Sequence, residues 1–176
     1  EDLVGVSLLY DVPHSVEDMT KVFTVENLTE VYPEDYITYE REYLTDIDCF
    51  LSLSCDTLSF RSNILSALPM GQEIRTTNLN QLRWVEMDSG LAMVQRSWME
   101  GEGEATAEWA TFLAQYYIGI HYSVGTENRT IAGSWAVLRL GELPVPEDMV
   151  LNQALEGLHR HAEEITVYLD ENGPPD

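Results

Sequence analysis

Lysine is all but missing from this 176-residue chain: Lys21 stands alone beside eight arginines and faces 31 acidic residues, for a net charge of −22. So negative a chain is repelled by phosphate backbones and by anionic lipid surfaces, which argues against nucleic-acid binding and membrane-surface attachment. Two readings of the acidity stand. One is a protein of a high-salt cytoplasm, where screening relieves self-repulsion. The other is an exported or surface protein whose acidic face stays solvated or meets basic partners or cations. The near-absence of lysine favours the first.

Cysteine is almost as scarce. Cys49 and Cys55 are six positions apart, and on a strand their thiols would share a face roughly 20 Å apart at ~3.3 Å per residue. A disulfide needs Cα atoms within about 7 Å, so the expectation is two buried free thiols, with pairing only if the chain turns between them. No Cys/His spacing resembles a zinc site. No apolar run approaches the roughly 18 residues of a membrane span. No basic-then-apolar leader opens the chain, which starts on Glu1 as a trimmed, processed or excised chain would. Glycine-rich phosphate loops, a Gly-x-Ser-x-Gly elbow and a Cys/His nucleophile pair are missing as well. Their absence lowers the standing of a nucleotide-dependent enzyme or a standard hydrolase.

What is present predicts one soluble α+β domain over residues 1–170, followed by a frayed tail over 171–176. Leu3 to Val12 is apolar and β-prone and ends at Pro13, so it reads as a first strand. Ser15-Val-Glu-Asp18 has the form of a capping box ahead of Val16, Met19, Val22 and Phe23, one helical face. A further turn or two follows between Val25 and Val31. The middle reads as strands: Tyr36 to Leu44, Phe50 to Phe60, then an ambiguous Ser62 to Leu82 with Pro69-Met-Gly71 as a turn. Trp84 to Met87 and Leu91 to Met99 flank Asp88-Ser-Gly90, a hairpin signal. Two more strands span Glu108 to Ser123 and Ile131 to Leu140. Finally Leu151, Leu155, Leu158, Ala162, Ile165 and Leu169 recur every three or four residues, predicting an amphipathic helix from Glu147 to Leu169 that lies on a broad sheet.

One strand, short helices, a run of antiparallel strands and a long closing helix is an order that resembles the START and Bet v 1-like superfamily, which includes polyketide cyclases and lipid carriers. The resemblance is one of architecture and covers nearly the whole chain. It implies a curved antiparallel sheet wrapped around the C-terminal helix, with a cavity between them for an apolar ligand; the first expectation is that this cavity binds a small apolar or lipid-like molecule without catalysis and without a cofactor. An acidic interaction module that meets a basic partner or Ca²⁺ is a second expectation, and a cyclase or dehydratase on the same scaffold a third.

Candidate ligand-binding residues come from the aromatic and arginine positions of the late strands. Arg96 and Trp98 share a strand face, as do Trp135 and Arg139, and Trp84 precedes the hairpin. Apolar bulk with arginine can hold the acidic end of an amphipathic ligand, although tryptophan in the core and arginine at the surface is the plainer assignment. Tyr117 and His121 share the face opposite Tyr116, Ile118, Ile120 and Tyr122, and either face can be the inner one. If the polar face is inner, His121 can act as a general base with Tyr117 as partner. No metal site is expected. Of His159, His161, Glu163 and Glu164, only His159 and Glu163 are four apart on one helical face, and two ligands make no site. Glu100, Glu102 and Glu104 match no calcium loop and read as an exposed turn. Asn27 and Asn128 each open an Asn-x-Thr triplet, about what chance supplies. If the acidity is a high-salt adaptation, resistance to urea should climb by several kcal/mol between dilute buffer and molar salt; unfolding midpoints that ignore salt would remove that reading.

Overall fold

A computed structural model describes residues 3–68, 72–88, 90–106, 112–124, 128–140 and 147–173. Their order is β1 (Leu3–Val12), α1 (Val16–Thr24), a 3-10 turn (Leu28–Glu30), β2 (Tyr36–Tyr43), α2 (Ile47–Leu51), β3 (Thr57–Leu68), β4 (Gln72–Met87), β5 (Gly90–Met99), β6 (Glu104–Ala105), β7 (Phe112–Ser123), β8 (Thr130–Leu140) and α3 (Glu147–Asn172). The strands form one antiparallel sheet ordered β1-β8-β7-β5-β4-β3-β2, with the short β6 paired to β4. The fold is therefore α+β, a sheet packed against a long C-terminal helix.

Local chemistry explains the starts and stops. Ser15 caps α1: its hydroxyl accepts from Asp18 N at 3.0 Å and donates to the Asp18 carboxylate at 2.6 Å, and the backbone N–H of Ser15 also donates to that carboxylate, closing the reciprocal box that the Ser-x-x-Asp spacing promises. One stripe of α1, comprising Val16, Met19, Val22 and Phe23, is buried. β4 buries every second residue from Ile74 to Trp84, the period-two signature of a half-covered sheet. β4 and β5 meet at the Met87–Gly90 pair, where Gly90 takes a positive φ of 143° that other residues rarely adopt. The Pro69-Met-Gly71 turn lies outside the described residues.

The core gathers on one face of the sheet. Val12, Leu58, Phe60, Leu82, Trp84 and Met93 pack with α1, with Phe50 of α2, and with Ile165 and Leu169 of α3. At roughly 1.5–3 kcal/mol for each fully buried large apolar side chain, this layer holds the helix down. Two polar ties flank it. His14 bonds to Asp170 at 2.8 Å near the end of α3, and Asp35, just before β2, bonds to both Arg160 and His161. α3 runs to Asn172, so the helix continues past Leu169 into the segment expected to fray.

The stretch around the cysteines departs from expectation. It is not a strand. Asp46 caps α2 by accepting from Asp48 N at 2.9 Å and Cys49 N at 3.3 Å, Leu53 turns left-handed at φ 57°, and the amides of Ser54 and Cys55 both return to Cys49 O at 3.0 Å. That reversal brings the two Cα atoms to 5.2 Å and the thiols into a disulfide, not the two free thiols of the extended reading. The bridge pins the turn that feeds Leu58 and Phe60 into the core. For so short a closed loop it is worth about 2 kcal/mol, so Cys49→Ser/Cys55→Ser should lower the unfolding free energy by that amount. Equal urea midpoints for the variant and the oxidised parent would show the bridge to be idle.

Candidate ligand-binding site

Strand register decides which side chains can meet beneath α3. Met93 belongs to the core under Ile165 and Leu169. It pairs with His121, which pairs in turn with Ala132, so His121, Gly119 and Tyr117 all face the helix. Gly119 has Gln95 and Ser134 as its cross-strand neighbours. Four polar side chains thus surround one glycine: Gln95 and Ser134 to its sides, Tyr117 and His121 before and after it along the strand. A Cβ on Gly119 would come within 2.9 Å of His121 Nε2 and 3.1 Å of Tyr117 Oη. Both polar tips therefore lean over bare backbone.

The burial of this group is what gives it chemistry. His121 is fully buried, its ring against Phe23 with centroids 4.9 Å apart. Burial pushes its pKa down to about 4, so at neutral pH the imidazole is uncharged and offers one donor and one acceptor. Neither nitrogen has a partner, and the same holds for Gln95 Oε1 and Trp84 Nε1. Tyr117 and Ser134 bond to each other at 2.8 Å, and burial holds the Tyr117 phenol well above its ordinary pKa. Leaving a buried polar group unmade costs about 1–3 kcal/mol, so three side chains bearing such groups on one face form a set waiting for partners.

Toward the other end of β4 the same face turns polar. Thr76, Asn78 and Asn80 replace the apolar run of Leu82 and Trp84, and all three are buried. Asn80 is largely spent on Ser62 Oγ at 2.9 Å and Asn78 O at 3.2 Å, and Asn78 reaches Thr76 at 3.3 Å. The inner face is thus half solid core and half hydrogen-bonding surface.

Of the residues singled out in the sequence, Trp84, Tyr117 and His121 share this inner face, on β4 and β7. Arg96, Trp98, Trp135 and Arg139 do not line this space, a correction that follows from parity. Arg96 and Trp98 are out of phase with Met93, and Trp135 and Arg139 with Ser134, so all four point away from α3. Arg96 bonds to Gln81 and lies over the Trp98 ring at 5.7 Å. Trp135 is 38 % exposed and lies over Gly133, where a Cβ would come 2.5 Å from its ring. Gln95 escaped notice in the sequence; its signal is the two-residue step from Met93.

A second cluster sits where β2 begins beside α3. Asp35 Oδ2 is 2.7 Å from His161 Nε2, and Arg160 grips the same carboxylate. Burial raises the Asp35 pKa, but the His161 and Arg160 bonds outweigh it and leave the carboxyl below its ordinary value. Glu164 is pushed the other way, by burial first and then by the Asp35 charge. His159 and Glu163, the pair expected to share a helix face, are both exposed.

No family model matches the chain, and no curated protein does. Solved structures do match. A START superfamily protein from Mycobacterium smegmatis superimposes with a TM-score of 0.58 at 14% identity, over 96% of this chain and 98% of that one. This is the helix-grip fold. Ara h 8.0201 shares it at a TM-score of 0.55 and 10% identity, over 97% of this chain and all of that one. Norcoclaurine synthase from Thalictrum flavum, solved in complex with dopamine and hydroxybenzaldehyde, follows at 0.52 and 11%, over 99% and 90%. In helix-grip terms Gly119 and its four neighbours lie on the gripping face of the sheet, on its middle strands.

The imidazole gives a direct test of this burial. His121 titrates near 4 when folded and near 6.5 when unfolded, so between those values the unfolded chain binds more protons. Stability therefore falls as pH drops through that window, with His121 accounting for up to about 3 kcal/mol. The ring resonances should stay flat down to pH 5, and His121→Gln should lose that share of the acid sensitivity. A ring midpoint near 6.5 would place the imidazole in water.

Proposed function

We propose that the face between the sheet and α3 binds one small, largely apolar molecule through a hydrogen-bonding group, without covalent chemistry. The observation that carries this reading is the set of buried, unpartnered atoms on His121, Gln95 and Trp84. A ligand that supplies an acceptor and a donor recovers the desolvation already incurred by these groups. Trp84, Phe23 and Met93 provide apolar contact around them, and the Tyr117–Ser134 pair can extend the polar end.

One feature favours binding over catalysis. His121 is a neutral imidazole beside a phenylalanine ring, and its basicity is well below that of a general base poised near neutrality. A protein of the same fold, norcoclaurine synthase, is solved with small aromatic molecules, which supports a small ligand here and does not separate binding from catalysis. Acidity, salt habit and any lipid preference add nothing to this assignment, which rests on the inner face alone.

A neutral solvatochromic dye such as Nile red is the direct probe. The native chain should bind about one equivalent saturably, with a blue-shifted emission. Gly119→Val projects a branched side chain between His121 Nε2 and Tyr117 Oη, and should weaken binding at least tenfold while circular dichroism stays native. Saturable binding that ignores this substitution would move the site elsewhere, and a native chain that takes up no dye would end the proposal.

A further inference from the structure

We propose that Asp35, His161 and Glu164 form a binding site for one divalent first-row transition ion, Zn²⁺ or a close relative, where the start of β2 meets α3. The fold supplies what the helix alone lacks. His161 and Glu164 are three apart on α3 and so share a face, and Asp35 arrives from 126 residues away in sequence. One donor atom from each of the three lies within 4.8 Å of the other two.

Those separations suit an ion. Ligand bonds of about 2.1 Å put adjacent donors roughly 3–3.5 Å apart and opposed donors about 4.2 Å apart. The 2.7 Å between His161 Nε2 and Asp35 Oδ2 is already close to an adjacent pair, so a metal can replace the proton between them with little movement. A small rotation of Glu164 closes the remaining gap.

A second, independent observation points to a cation. Glu164 Oε2 is buried and has no partner, beside another carboxylate and near Glu34. Two carboxylates close together in a partly dry site repel, and Arg160 hydrogen-bonds only Asp35, acting on Glu164 through its charge alone. An imidazole with two carboxylates matches the preferences of zinc, iron, cobalt and manganese better than those of calcium or magnesium, which favour oxygen ligands alone.

The surroundings are arranged as outer support. Arg160 holds both Asp35 oxygens, Nη2 on Oδ1 closely and Nε on Oδ2 at 3.4 Å, and so fixes the carboxylate with Oδ2 turned toward His161. The His161 ring is held against Tyr32 with centroids 4.3 Å apart. Groups that fix the orientation of ligands in this way typically change metal affinity by about 10–100-fold. The alternative is that Asp35, Arg160 and His161 are an ion-pair latch for α3 and nothing more.

The experiment uses the tag-free full chain, stripped with a chelator and dialysed, in excess Mg²⁺ to occupy surface carboxylates. Zn²⁺ titrated by calorimetry should show one equivalent bound and raise the melting temperature, and Co²⁺ should give visible d–d bands. Glu164→Gln should weaken Zn²⁺ binding at least tenfold yet leave the metal-free melting temperature unchanged or higher, because Oε2 has no bond to lose. Glu163→Gln, on the exposed face, should leave the affinity unchanged. Should Asp35→Asn prove unstable, Glu164→Gln decides alone. No binding at millimolar Zn²⁺, or equal affinity in the parent and Glu164→Gln, would overturn the site and leave the latch.

Discussion

Everything beneath α3 depends on Ile165 and Leu169 staying seated on the sheet. These two side chains, with Leu158 two to three turns earlier, are the buried stripe of a helix about 39 Å long at ~1.5 Å per residue. Lift them and Met93, Trp84 and Val12 lose their cover. His121 then gains water, and with it an ordinary imidazole pKa. The polar ties at Asp170 and Asp35 set where along its length the helix sits, but the apolar contact makes it sit at all. A change in Leu169 would therefore be felt at His121, a residue it need not touch.

The inner face is a compromise. A sheet optimised for stability alone would continue the Leu82–Trp84 pattern along β4. Instead it carries Thr76, Asn78 and Asn80, and on neighbouring strands Ser62, Gln95, Tyr117 and Ser134. Most of these have found one another, through Asn80 with Ser62 and Tyr117 with Ser134. The few that have not lie where apolar core and polar network meet. A half-satisfied network is costly in a purely structural role, and its persistence is most simply understood if something else completes it.

Much of the fold was legible because its patterns are long. Leu3 to Val12 is an unbroken β-prone run closed by Pro13, Glu147 to Leu169 repeats its period often enough to fix element and face, and Ser15-Val-Glu-Asp18 marks a helix start by chemistry. The site was harder to read, because β7 inverts the usual polarity. On β7 the apolar side, Tyr116, Ile118, Ile120 and Tyr122, points outward, and the side with Gln115, Gly119 and His121 points in. Apolar-inside reasoning therefore drew Trp98, Trp135 and their arginines toward a space they do not enter. The cysteines were misread for a local reason: one left-handed residue, Leu53, turns an apparent strand into a closed loop. Asp35 was invisible as a partner for His161 because only tertiary structure joins them.

The pairing of β1 with β8 from Leu3–Arg139 to Val12–Thr130, with α3 after both, has a consequence for synthesis. The first strand made must wait for nearly the last before it acquires a neighbour in the sheet, and the gripping face stays open until Leu169 has left the ribosome. A nascent chain of this topology carries Val12 uncovered for most of its translation, and Trp84 and Met93 for a little under half of it.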